Sequence, residues 1–173
     1  MEIRLLTAAD VDAFWTLRLE ALQESPDAFG SSYAESVTRT PEQVAQWHRQ
    51  AVAGPDNFMF GAFEGQLAGM VGCRRDTGMR TRHKAVIWGM YVAPEARGQG
   101  TGRRLMEAAL AQARTVPGLE QLYLAVVTTN PTAVGLYTSL GFATYGREPR
   151  ALKSGARYFD EELMALLLHA PAA

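Results

Sequence analysis

The 173 residues, 47% apolar and 20% charged, suit one globular domain over residues 1–173 with a single core. A net charge of −1 gives no overall basic field to draw nucleic acid or an anionic membrane, so neither is expected as a partner. The single cysteine excludes an internal disulfide and suits a reducing compartment.

In chain order, Glu2 to Leu6 reads as a first strand. Thr7 is placed to cap a helix, with Asp10 three residues on in the manner of a capping box. Val11, Phe14, Trp15, Leu17, Arg18, Leu19 and Leu22 form its stripe, and Ser25-Pro26 ends it, since the residue before proline disfavours helical geometry. Phe29 to Thr40 reads as loop. Thr40-Pro41-Glu42 opens a second helix with a cap and a proline at the first position, and Gly54-Pro55-Asp56 closes it. Asn57 to Phe63 and Gln66 to Arg74 are two strands joined at Glu64-Gly65. Arg75 to Arg82 is a polar loop, and Lys84 to Val92 is an apolar strand that Pro94 stops.

Thr101 to Arg114 is an amphipathic helix built on Leu105, Met106, Ala109 and Leu110. Leu122 to Val127 is a β-branched strand, Thr132 to Leu140 a short helix and Phe142 to Arg147 another strand. Tyr158 to Leu168 suits helix or strand by content. It is taken as a strand because a hairpin through Lys153-Ser154-Gly155 pairs it with the one before. About seven strands and four helices, alternating through the middle, predict an α/β fold with a mixed sheet. Met1-Glu2-Ile3-Arg4 leads straight into strand pattern without a signal-type apolar run, and Leu163 to Leu168 is too short to span a bilayer, so a cytoplasmic protein is expected.

The most informative segment runs from Val92 to Arg104. A strand ends, Gly98, Gly100 and Gly102 follow in alternation, and a helix begins with Arg103 and Arg104 in its first turn. Glycine lets backbone N–H groups approach a ligand, and a helix N-terminus carries unpaired N–H groups and partial positive charge. That combination binds phosphate, and an anion would offset the two arginines. The dinucleotide fingerprint fails because Arg103 stands where its third glycine belongs, and the P-loop fails for want of Gly-Lys-Ser/Thr. The pattern Arg97-Gly98-Gln99-Gly100-Thr101-Gly102 instead resembles the coenzyme A pyrophosphate site of the GNAT superfamily of N-acetyltransferases. A second segment, Asn130-Pro131-Thr132-Ala133-Val134-Gly135-Leu136-Tyr137-Thr138-Ser139-Leu140-Gly141-Phe142, matches that family's N-x-x-A-x-x-L-Y-x-x-x-G-F at every anchor position.

The resemblance implies a mostly antiparallel sheet of about seven strands, acetyl-CoA as co-substrate and acetyl transfer to a primary amine by direct attack, with no covalent enzyme intermediate. It implies that the diphosphate is held by Arg97, Gly98, Gln99, Gly100, Thr101, Gly102 and Arg103. It also implies that the backbone of Met90, Tyr91 and Val92 pairs with the pantetheine arm, with the Val92 N–H as oxyanion donor. Asn130 offers an amide to the ligand, and Tyr137 acts as general acid toward the thioester sulfur. Tyr137 is seven residues after Asn130, close to two helical turns, so the two share a face if the helix starts there. Packing against Leu140 and Phe142 is the alternative role for Tyr137. Family members are often dimers, so a homodimer is an expectation.

The family's strand glutamate is missing, its place being held by Val86, and Glu35, Asp160, Glu161 and Glu162 stay unassigned as bases. Arg147, Arg150, Lys153 and Arg157 form a basic cluster that either favours a carboxylate-bearing acceptor, an amino acid or peptide, or is a charged hairpin surface. His48, His83 and His169 lack metal-ligand spacing, so no metal is expected. Cys73 reads as a small buried residue, and Trp15, Trp47 and Trp88 as packing. Two other readings stay open: a catalytically silent acyl-CoA-binding module and a nucleotide-binding α/β protein.

Overall fold

The alternation of strand and helix signals resolves into a sheet with helices on both faces. The computed structural model describes residues 1–168. Its strands are β1 (Glu2–Leu5), β2 (Asn57–Glu64), β3 (Gln66–Arg75), β4 (Lys84–Val92), β5 (Gln121–Val127), β6 (Ala143–Ser154) and β7 (Arg157–Leu167). They form one sheet in the order β1-β2-β3-β4-β5-β7-β6. All neighbours are antiparallel except β4 and β5, which run parallel. The helices are α1 (Val11–Glu24), α2 (Tyr33–Ser36), α3 (Pro41–Ala51), α4 (Thr101–Thr115) and α5 (Pro131–Ser139). Among the described residues no helix is long and apolar enough to cross a membrane.

Each face of the sheet has its own core. On one, Phe14, Leu17 and Ala21 of α1 pack with Met59, Leu67, Met70 and Tyr91. On the other, Leu105, Met106, Ala109 and Leu110 of α4 pack with Val71, Cys73, Ile87, Leu122 and Leu124, and Tyr137 of α5 joins them. Between the two layers β3 is buried without a break from Leu67 to Cys73, so it lacks the apolar-polar alternation of a half-exposed strand. Trp15, Trp47 and Trp88 stack in series over this first face, each 5.3 to 6.5 Å from an aromatic neighbour.

The local signals act as their chemistry dictates. Asp10 accepts the Thr7 N–H at 2.8 Å and holds Arg4 through two hydrogen bonds, with a 3₁₀ turn over Ala8–Asp10 before α1 begins. Gln43 returns the Thr40 cap by accepting its N–H at 2.9 Å. Two elements differ from expectation. The stretch read as loop contains α2, whose capping box pairs Ser32 with Glu35, so five helices stand where about four were expected. And β6, expected to stop at Arg147, runs on to Ser154. Pro149 is tolerated because β6 is an edge strand, and the ladder shifts register between Glu148 and Leu152 to pass it.

Phe14 is wholly buried, with ring centroids 5.3 Å from Trp47 and 5.0 Å from His48. Phe14→Ala is expected to cost about 3–5 kcal/mol in denaturant unfolding, since α1 and α3 cannot close over the cavity. A loss below about 1 kcal/mol would show that this face repacks freely.

Candidate functional site

The sheet opens where its one parallel pair comes apart. Strands β4 and β5 are joined only through Lys84↔Gln121, Ala85↔Leu122 and Val86↔Tyr123, and beyond Val86 they diverge. A cleft of about 570 Å³ fills the gap, lined by Trp88 to Val92 on one side and Leu124 to Val127 on the other. The divergence coincides with a bulge. Register against β3 jumps from Gly72↔Trp88 to Met70↔Tyr91, and Gly89 inside the jump has φ of 63°, a left-handed value that glycine adopts without strain. Past the bulge the Ala93 N–H donates to Ala68 O at 2.8 Å. By the alternation of an antiparallel ladder, Tyr91 then faces β3 while the Met90 and Val92 amides turn to the cleft. The Val92 carbonyl is taken by Arg97 Nε at 2.9 Å, so of its two backbone groups the N–H is the one offered to the cleft. Of the three residues expected to present backbone to a ligand, Tyr91 is thus turned to β3. Its buried side chain donates from the hydroxyl to Glu20 at 3.1 Å.

At the carboxyl end of β4 the chain makes a 3₁₀ turn over Pro94–Ala96 and enters α4 through Gly98 and Gly100, with φ of 74° and 76°. The first helical bond is Arg104 N–H to Gly100 O, so the amides of Gly98 to Arg103 have no acceptor among the described residues. No acidic side chain stands in the first turn of α4 to neutralise its positive end. The side chains around this nest divide by task. Thr101 is buried and donates to Ala96 O at 2.8 Å, so it buckles the turn and only its amide is free for a ligand. Gln99 donates to Glu95 O at 3.2 Å. Arg103 reaches across to Ser139 Oγ at 2.7 Å, while Arg104 turns away to Met1 O.

Arg97 is committed to α1, its two terminal nitrogens on the two oxygens of Glu24 at 3.0 and 2.9 Å. Arg97, and after it Ser25, lowers the Glu24 carboxyl to about 2. A carboxylate whose folded pKa is depressed stabilises the fold above its ordinary pKa of 4.5, and that contribution is lost as pH falls toward 2. Both side chains are over a third exposed, so the effect is expected within about 1 kcal/mol. Glu24→Gln is expected to lower thermal melting slightly at neutral pH, within about 1 kcal/mol, and to converge on the wild type as pH falls toward 2, so its acid slope is flatter. An unchanged acid slope would remove this pair from the fold's acid sensitivity.

The opposite wall is α5. Asn130 caps it, with Oδ1 accepting the Ala133 N–H at 3.1 Å, so only its Nδ2 remains for a ligand. Tyr137 is 7% exposed and packs edge-on against Phe142 with centroids 6.0 Å apart. It lines the same cleft as Val92, and its hydroxyl has no partner among the described residues. Burial pushes the phenol up to about 12, so it keeps its proton at neutral pH and acts as a donor.

The remaining candidates do not converge here. Glu35 is an exposed cap, Asp160 accepts from Arg147 and the Arg150 N–H, and Glu162 accepts from Thr144. Glu161 is raised by burial and then by Glu148, its cross-strand partner, yet does not line the cleft. The basic cluster is largely answered within the fold, Arg147 by Asp160 and Arg157 by Asp27, with Arg150 and Lys153 over the Tyr158 ring. Cys73 is buried, and desolvation pushes its thiol up to about 12. His48 is held by Thr7 O at 2.8 Å, and His169 lies outside the described residues. Among the described residues no group of side chains is arranged to hold a metal ion. Gly89 lines the cleft without any sequence signal for it, and the Glu24–Arg97 pair joins residues 73 apart with no local signal.

A model of the acetyltransferase (GNAT) family matches residues 19–142. The chain is 34% identical over 85 residues to the spermidine N(1)-acetyltransferase of Vibrio cholerae, covering 49% of this chain and 49% of that protein. It is 33% identical over 79 residues to the L-methionine sulfoximine/L-methionine sulfone acetyltransferase of Pseudomonas paraeruginosa, covering 46% and 45%. The matched stretch thus spans about half the length of these curated relatives. The fold is shared with yncA of Salmonella typhimurium, solved with its cofactor acetyl-CoA, at TM-score 0.84 and 23% identity over 100% of this chain and 96% of that one.

Proposed function

We propose, because this chain belongs to the acetyltransferase (GNAT) family, that it moves the acetyl group of acetyl-CoA onto a primary amine of a small molecule, amino acid or peptide. The observation that carries this reading is one cleft that holds a nest of unpaired amides from Gly98 to Arg103 and, in the same lining, Val92 and a Tyr137 hydroxyl without a partner among the described residues. The nest suits a diphosphate, and Val92 with Tyr137 an acyl group in transfer.

Acetyl-CoA supplies an activated thioester, whose carbonyl carbon bonds to the amine nitrogen as the carbon–sulfur bond breaks. The Val92 N–H meets the carbonyl oxygen as it gains negative charge. Tyr137 donates toward the departing sulfur. The described lining carries no carboxylate and no imidazole, so the amine enters neutral and releases its proton to solvent. No side chain in the lining serves as a covalent nucleophile, and Cys73 is buried elsewhere with its thiol held protonated. Met90 backbone, Asn130 Nδ2 and Arg103 complete the coenzyme contacts in this reading.

The test is thiol release from acetyl-CoA across a panel of amines, with calorimetry of acetyl-CoA against ATP and NAD. Amine-dependent thiol release with tight binding of acetyl-CoA alone is expected. Binding without release from any amine would support the silent acyl-CoA-binding module, and preference for ATP or NAD would overturn both.

A further inference from the structure

Arg18 is a cation that the fold buries and leaves without an anion. It projects from α1 with 8% of its surface exposed, and its Nη1 has no hydrogen-bond partner among the described residues. Other arginines of the described chain answer their charge with a carboxylate: Arg4 with Asp10, Arg75 with Asp56, Arg97 with Glu24. Burial, and after it the neighbouring cation Arg39, lowers the guanidinium to about 10. An uncompensated buried charge costs several kcal/mol, roughly, so the position is paid for by something the fold alone does not provide.

Its placement says what that is. The guanidinium lies 4.7 Å over the Phe29 ring. Its Nη1 is 3.9 Å from the point where a β-carbon on Gly89 would stand. Phe29 and Gly89 both line the cleft, so the charge sits behind the wall at the bulge of β4, away from the amide nest that opens α4. Arg18 itself does not line the cleft, and with glycine at the bulge no β-carbon stands beside its buried Nη1.

We propose that Arg18 determines acceptor specificity by binding the carboxylate of an amine that carries one, an amino acid or its like. This rests on the acetyl-transfer reading. A planar guanidinium takes a carboxylate through two parallel hydrogen bonds, and at a side chain this buried each is stronger than in water. The hairpin cluster, by contrast, is engaged with Asp160 and Asp27 and has less to offer an anion.

The experiment compares the proteinogenic L-amino acids with their carboxamides, in the intact chain and in Arg18→Met and Arg18→Lys. The wild type is expected to acetylate its preferred acid with kcat/KM about 100-fold above the matching carboxamide. In Arg18→Met that ratio collapses to within about 3-fold, mainly through KM, while turnover of the carboxamide is retained; Arg18→Lys restores part of the preference. Thermal melting of Arg18→Met is expected at or above the wild-type temperature, because a buried cation gives way to an apolar side chain of similar length. A residue that only packs on Phe29 would instead lower stability and both activities together. Calorimetry of the same amino acids against the coenzyme A-loaded chain is the second arm. If an acid binds the wild type and not Arg18→Met while no amine is acetylated, the Arg18 site stands and the transfer reading falls. Equal use of acid and carboxamide by the wild type, a preference that survives Arg18→Met, or no acid bound or turned over, overturns the proposal.

Discussion

Tyr137→Phe is expected to lower kcat by about 10²–10³-fold while the Kd for acetyl-CoA stays within about 3-fold. The ring carries the packing against Phe142, and phenylalanine keeps it. Tyr137 lines the cleft and its hydroxyl has no partner among the described residues, so the loss of that hydroxyl removes a donor and no hydrogen bond from the fold. Melting temperature is expected unchanged or slightly raised for the same reason. Because burial holds the wild-type phenol protonated to about 12, its ionisation does not limit activity at neutral pH. Turnover within about 3-fold of wild type would take Tyr137 out of the acid role.

The second large effect is expected at the amide nest. Gly100 has φ of 76° and nothing within 4 Å of where its β-carbon would stand, so a β-carbon there stands in open space. Gly100→Val is expected to raise the Kd for acetyl-CoA by at least about 100-fold, near 3 kcal/mol, by occupying the approach of a diphosphate to the amides. A β-branched residue in left-handed geometry also strains the backbone by about 1–3 kcal/mol. Gly100→Ala, which shares most of the strain and little of the bulk, separates the two causes. Affinity within about 3-fold of wild type in a folded Gly100→Val chain would mean that the coenzyme does not use this turn.

What was legible in the sequence was local, and what was missed is contact across distance. Glycine spacing, proline at a helix start and the cap at Thr40 act within a few residues, so they mark the α4 turn and the start of α3 directly. The Ser32/Glu35 box is the exception, equally local yet read as loop, because only a single helical turn lies behind it. The continuation of β6 beyond Arg147 was hidden because Pro149 signals a stop, and only the position of that strand at the sheet edge removes the objection. Nothing in the residues from Lys84 to Val92 by themselves says that β4 parts from β5; the resemblance implies that Met90, Tyr91 and Val92 offer backbone to a ligand, and the bulge at Gly89 coincides with the parting. The Glu24–Arg97 pair and the uncompensated charge of Arg18 depend on how α1 lies over the sheet, which no spacing encodes.

A single crystal structure grown with acetyl-CoA tests the central claim most directly. Diphosphate oxygens within about 3.2 Å of the amide nitrogens between Gly98 and Arg103, with the thioester lying between Val92 and Tyr137, are the expected result. Ordered coenzyme bound elsewhere on the chain, with this nest empty, would contradict it.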